Sequence, residues 1–274
     1  MEKFFKNHPK MPNYDKLRSK KAEYRQIPID ERTELYSEPL LGIYSHGLAG
    51  QSYYSRPNPL TVEPIPGVPA EPILRTTVLE KLAELNKAIK ADQKLTGLFG
   101  GQVELYVEEG TRLLTTQKML YNQGFPKLIR QQYPDATEDQ VKAKLADLIA
   151  IPSDDINSPS PHTTGAAFDV TLRYYQDDLG YVPGQQEVCL RRFDGDVTEA
   201  NFPDYFEKKK HLNSEQDEQI KQNRQIFHSI MTGEYFGYET EFACNPTEWW
   251  HWSYGDQLWA FVKDRPTAFY SIAK

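Results

Sequence analysis

A chain of 274 residues, 39% hydrophobic and 26% charged, carries enough apolar surface for one large core. Its formal charge of -7 and pI near 5.5 exclude nucleic acid or an anionic membrane as the main partner. No apolar run approaches the ~20 residues that span a bilayer, and the opening stretch from Met1 to His8 lacks a signal's apolar region. A cytoplasmic address is therefore expected, with a periplasmic or secreted one if a leader has been removed.

Residues 1–70 hold Pro9, Pro12, Pro28, Pro39, Pro57, Pro59, Pro64 and Pro66 among many tyrosines. They read as an arm packed on a main domain of residues 71–274, because the aromatics need a surface to cover. In that domain Val78, Leu79, Leu82, Leu85 and Ile89 recur at helical spacing, predicting an amphipathic helix that ends near Gln93. Val103, Leu105 and Val107 alternate with Glu104 and Tyr106, predicting a strand with one buried face. A second helix is expected from Gly110 through Met119 towards Gly124-Phe125-Pro126. Thr137 and Gln140 form the capping box of a third, which carries Val141, Leu145, Leu148 and Ile149.

Residues 152–161 read as a loop and Ala167 to Leu172 as a strand. Ser214 opens a long helix with Ile220, Phe227, Ile230 and Met231 on one side, ending near Gly233. Tyr238 to Phe242 and Trp249 to Tyr254 then read as strands around an Asn245-Pro246 turn. The expected fold class is α+β, with a mainly antiparallel sheet flanked by helices. Cys189 and Cys244 make no disulfide framework; a single bridge or two free thiols would fit.

Two short segments carry the chemistry. In Ser160-Pro161-His162-Thr163-Thr164-Gly165-Ala166-Ala167-Phe168-Asp169, an imidazole and a carboxylate flank a glycine that permits a left-handed backbone. Far downstream, Glu248-Trp249-Trp250-His251 adds a second imidazole and a second carboxylate. Three protein ligands with a proton-transfer group nearby are what a metal hydrolase needs, and two imidazoles with one carboxylate suit zinc. Glu248 and His251, at i and i+3, would face apart on a regular strand, so a bulge or turn at Glu248 is required. His46 reads as a turn residue, and a Cys244 thiolate is a less favoured fourth candidate.

The pattern S-x-H-x-x-G-x-A-x-D with E-x-W-H resembles the zinc D,D-peptidases, most closely the D-alanyl-D-alanine dipeptidases of the vancomycin-resistance type. The resemblance spans approximately Pro72 to Trp259 and implies a fold shared by D,D-peptidases and hedgehog domains. It implies one zinc ion per chain on His162, Asp169 and His251, and Glu248 as the general base and acid. Arg112 matches the arginine that stabilises the oxyanion, although Thr111 and Leu113 stand where the family has an aromatic residue and a proline. Asp194, in a Phe-Asp pair, corresponds to the residue that binds the substrate ammonium, with Asp196 close by. Ser160 is carried over as a substrate-binding residue.

The expected function is hydrolysis of D-Ala-D-Ala or a related small D-amino-acid dipeptide. The alternatives are a D,D-carboxypeptidase or endopeptidase on peptidoglycan peptides, and a non-catalytic zinc-binding interaction module. A small peptide is the expected partner, and the sequence leaves the oligomeric state open.

Overall fold

The computed structural model describes residues 11–58, 60–175, 187–191, 197–208 and 214–273. In chain order the helices are α1 (Tyr14–Ser19), α2 (Thr76–Ala91), α3 (Gln93–Phe99), α4 (Leu114–Met119), α5 (Phe125–Gln132), α6 (Glu138–Leu148), α7 (Val197–Ala200), α8 (Tyr205–Lys208), α9 (Glu215–Thr232) and α10 (Gln257–Val262). The strands are β1 (Leu40–Gly42), β2 (Ala49–Gly50), β3 (Ile73–Arg75), β4 (Val103–Glu109), β5 (Ala167–Tyr174), β6 (Ala243–Asn245) and β7 (Glu248–Ser253). Among the described residues no helix is long and apolar enough to cross a membrane.

The architecture is α+β, as expected, and the five-stranded sheet is mixed, antiparallel except at one edge. Five strands run in the order β2-β4-β5-β7-β6, and the pairing of β2 with β4 is parallel. The long crossover between those two strands, through β3 and α2, is what a parallel pair requires. The remaining pairs of that sheet are antiparallel, as is the separate β1–β3 ladder.

Burial explains why β4 differs from the half-buried strand its alternation predicts. All of its residues are buried, and Glu104 is held by Arg173 Nε at 2.7 Å and Lys90 Nζ at 3.4 Å. On the other side α2 buries Val78, Leu79, Leu82, Leu85 and Ile89, each worth about 1.5–3 kcal/mol of transfer free energy. Asn86 Oδ1 accepts the Leu105 N–H at 2.8 Å and fixes the helix against the strand. These side chains join Phe168, Val170, Phe227, Ile230 and Trp252 in the main core. A smaller cluster, with Tyr54, Leu120, Ile129, Val141 and Leu145, packs α5 and α6 together.

The helix expected to stop near Gly124 instead continues to Gln132. A π-helical turn over Leu120–Gly124 joins α4 to α5, and this widened turn accommodates Pro126, which has no N–H to donate to it. The Thr137–Gln140 capping box is present at α6, and Ser214 and Gly233 cap α9 as expected. The strand predicted over Tyr238–Phe242 lies further on, at β6. Gly237 and Glu241 adopt φ of 78° and 65°, which breaks an extended run before Phe242.

Residues from the first 70 reach deep into this frame. Tyr14 and Ile43 are core residues, and Tyr14 Oη bonds His228 Nε2 at 2.8 Å. Arg18 Nη1 donates to the Pro246 carbonyl at 2.8 Å, and Gln257 Nε2 donates to the Arg25 carbonyl at 3.3 Å. This segment therefore lies across the β6–β7 turn and the start of α10.

Candidate metal centre

His162 sits on a single 3-10 turn, Pro161–Thr164, which ends at Gly165 in the left-handed region with φ 75°. A Cβ on Gly165 would lie 2.4 Å from Leu40 Cδ2 and 3.1 Å from Thr111 Oγ1, so both conformation and space demand glycine there. The chain then enters β5, where Asp169 pairs directly with His251 of β7. Cross-strand partners project to the same face, so imidazole and carboxylate meet.

The bulge required at Glu248 is present. Cys244 pairs with Trp252, yet the next residue, Asn245, pairs with Glu248, leaving Trp249, Trp250 and His251 outside the regular register. That irregularity turns Glu248 towards its i+3 neighbour, with Oε2 3.6 Å from His251 Nδ1. An Asx-type turn supports it, because Asn245 Oδ1 accepts from Thr247 N at 3.1 Å while Asn245 Nδ2 donates to Glu248 Oε2 at 2.8 Å.

His162 Nε2, His251 Nδ1 and Asp169 Oδ1 form a triangle with edges of 3.0, 3.2 and 3.4 Å. Ligands at about 2.0–2.1 Å from a tetrahedral zinc ion are about 3.3–3.4 Å apart. The triangle is close to that size, and no other group of histidine, cysteine and acidic side chains among the described residues offers such a set. His162 Nδ1 lies 2.8 Å from the Gly110 carbonyl, which makes it the donor nitrogen and leaves the Nε2 lone pair towards the cluster. Asp169 Oδ1 is buried without a hydrogen-bond partner, as expected of an atom waiting for a cation. Donor types, spacing and the His162 tautomer fit zinc.

The electrostatics of the cluster follow from burial and the imidazoles. Burial raises the Asp169 carboxyl, but His162 and His251 outweigh it and hold the group well below the usual range. Glu248 is shifted the other way, raised by burial against the lowering effect of His251, Lys21 and Arg112. Glu109, paired with Asp169 across β4 and β5, is pushed up to about 8 by burial.

Arg112 is 7% exposed and lies on the wall of the cavity that the cluster faces. Its Nη1 donates to Gln117 Oε1 at 2.8 Å, its backbone N–H to the His162 carbonyl at 3.0 Å, and its guanidinium lies 5.1 Å from the Tyr54 ring centre. The loop before it is pinned despite its departures from the expected pattern. Thr111 donates to the Ile73 carbonyl through both its N–H, at 2.8 Å, and its hydroxyl, at 2.7 Å.

Ser160 also faces the cavity, but its hydroxyl donates to the Ile151 carbonyl at 2.8 Å, leaving only acceptor capacity for a substrate. Asp194 and Asp196 lie outside the described residues. Cys189 and Cys244 are free thiols, and Cys244 Sγ is turned to backbone carbonyls, outside the cluster. His46 caps a turn beside Gly47 and bonds Ser45, as expected.

The cavity has a volume of about 380 Å³. Its lining includes the apolar side chains Leu60, Phe125, Leu128, Leu148 and Ile149, together with Trp249 and Trp250 beside Glu248 and His251 in the chain. Sequence reasoning missed Lys21, Gln117 and Arg191 on these walls. Lys21 and Arg191 acquire their places through distant partners, and Gln117 through Arg112 and the Ala150 carbonyl.

The chain is similar to a D-alanyl-D-alanine dipeptidase. That protein, from Synechocystis sp., is 27% identical over 198 residues, a stretch covering 69% of this chain and 72% of the relative. No family model matches the chain.

Proposed function

We propose that this chain is a zinc-dependent peptidase that hydrolyses D-Ala-D-Ala or a related small D-amino-acid dipeptide. The observation that carries the reading is the His162–Asp169–His251 triangle with Glu248 3.6 Å from one of its corners, inside a cavity that Arg112 also lines. When bound, zinc at this site would acidify a water molecule and polarise the scissile carbonyl.

Glu248 is the residue placed to accept a proton from the attacking water and return it to the leaving amine. Its carboxyl, raised by burial, is a better acceptor than a surface glutamate, and Asn245 orients it from behind. Arg112, held by Gln117, offers a cation to the negative charge that develops on the carbonyl oxygen. Trp249 and Trp250 exclude bulk water, which strengthens both interactions. Ser160 is proposed to accept a hydrogen bond from the peptide, and Asp194 to pair with its ammonium. The whole chain acts as one unit, the first 70 residues forming an arm on the domain that follows.

A second reading, a D,D-carboxypeptidase on longer peptides, is favoured by the apolar lining residues Leu60, Phe125, Leu128, Leu148 and Ile149, which a longer peptide could cover. One assay separates the two. Release of free alanine is measured from D-Ala-D-Ala, from N-acetyl-D-Ala-D-Ala and from L-Ala-L-Ala, with zinc supplied. The dipeptidase reading expects the free D,D-dipeptide to be cleaved best. Blocking the amine should cost about 30-fold or more in kcat/KM, the scale of a lost charge pair. Equal cleavage of the acetylated substrate would contradict the dipeptidase reading.

A further inference from the structure

Among the described residues, four basic side chains of lysine and arginine line the cavity: Lys21, Arg112, Arg191 and Arg224. Three are already engaged. Arg191 is paired with Glu108 and, at 2.9 Å, with Glu187. Arg224 donates to the Leu190 and Ala200 carbonyls, both at 2.7 Å. Arg112 is held by Gln117 through Nη1, while its buried Nε has no partner, and the hydrolytic reading assigns it to the carbonyl oxygen.

Lys21 is different. An ammonium has three N–H donors, and the contact made here is a single bond to Thr247 Oγ1 at 2.7 Å. No carboxylate among the described residues forms an ion pair with it. Burial lowers its pKa, with Glu248 and Asp147 acting in the opposite sense from a distance. A half-buried cation held by one neutral hydroxyl, with no counter-charge beside it, has lost part of its hydration without full compensation. An anion delivered by the substrate would supply that compensation.

The tether puts this ammonium beside the reaction centre. Thr247 Oγ1 accepts from Lys21 and donates to Asn245 Oδ1 at 3.1 Å, and Asn245 Nδ2 holds Glu248 Oε2 at 2.8 Å. A hydrogen-bonded line therefore runs from the N-terminal segment to the proposed proton acceptor. In a dipeptide, the carboxylate carbon is only roughly 3–4 Å from the scissile carbonyl carbon. A cation that binds the carboxylate must then share the Glu248 end of the cavity, and Lys21 does.

We propose that Lys21 binds the free C-terminal carboxylate of the substrate, so that the N-terminal segment selects peptides whose scissile bond is the last one. The inference rests on the hydrolytic reading above. It names the acid end of the peptide as the feature read, in a dipeptide or a longer chain alike.

The test is steady-state kinetics of the zinc-loaded wild type, Lys21→Met and Lys21→Arg on D-Ala-D-Ala and on D-alanyl-D-alaninamide, which lacks the carboxylate. Wild type should prefer the free acid by about 30-fold or more in kcat/KM. Lys21→Met should lose most of that preference through a higher KM for the acid, with a distinctly smaller loss on the amide. Lys21→Arg should retain much of it. Equal losses on both substrates in Lys21→Met would place the residue's effect on Glu248 or on folding and overturn the inference. So would a wild type indifferent to amidation, with the hydrolytic reading left standing. A wild type that cleaves neither substrate would overturn the hydrolytic reading and this inference with it.

Discussion

Gly165→Ala tests how the metal cluster is assembled, because that residue turns His162 into β5 without belonging to the cluster. The left-handed backbone at φ 75° costs an L-residue about 1–2 kcal/mol. The added Cβ would lie 2.4 Å from Leu40 Cδ2 and 3.1 Å from Thr111 Oγ1. The leucine tip can swing aside, but Thr111 is held by its two bonds to Ile73. Overpacking of this kind costs about 1–3 kcal/mol, so the total is roughly 2–5 kcal/mol. At about 2–4 °C per kcal/mol for a domain of this size, Tm should fall by roughly 4–20 °C. Relief by a shift of the turn would widen the His162–Asp169 distance and weaken zinc binding. Calorimetry and a competitive zinc titration read the two effects. A variant with wild-type Tm and wild-type zinc affinity would refute the argument that this turn needs glycine to place its ligand.

Glu248→Gln should retain zinc while losing about 10²–10⁴-fold in kcat, since the amide keeps the shape and the Asn245 contact but cannot accept a proton; loss of the metal would instead make Glu248 a ligand. His228 gives a pH signature of stability away from the cluster. Burial, with a smaller effect of Lys263, pulls its pKa down to about 4, against about 6.5 in the unfolded chain. The native state therefore favours the neutral ring, and the unfolded state takes up the proton first as pH falls. Its contribution is complete above pH ~6.5 and is lost on going down to pH ~4, about 3 kcal/mol in all. In His228→Gln that dependence should vanish, so the difference in unfolding free energy from wild type should change over this window; a difference constant with pH would contradict the assignment.

The parts of the fold legible in the sequence are those fixed by local chemistry. The Thr137–Gln140 cap, the Ser214–Gly233 limits of α9 and the glycine turn after His162 depend on neighbours a few residues away. The bulge at Glu248 was legible for another reason. Two side chains three apart on a strand cannot otherwise share one face. What stayed hidden depends on distant partners. The parallel edge strand Ala49–Gly50 has too few residues to show a period, and β4 hides its second buried face behind Glu104, whose partner Arg173 is remote in sequence. Tyr238 to Phe242 has strand-like composition, but the left-handed Glu241 overrides it. In the candidate site, the metal-cluster residues stand out by type and spacing. Gln117, which holds Arg112, and Lys21, which reaches Thr247 across more than 200 residues, carry no such mark.

The central claim is that His162, Asp169 and His251 hold one zinc ion. Elemental analysis of the purified chain tests it most directly, on wild type beside His162→Ala and His251→Ala after dialysis against metal-free buffer. Wild type should retain close to one zinc per chain, and each variant should lose nearly all of it with the fold preserved by circular dichroism. Zinc at wild-type levels in both variants, or a wild type that binds none when zinc is supplied, would contradict the claim.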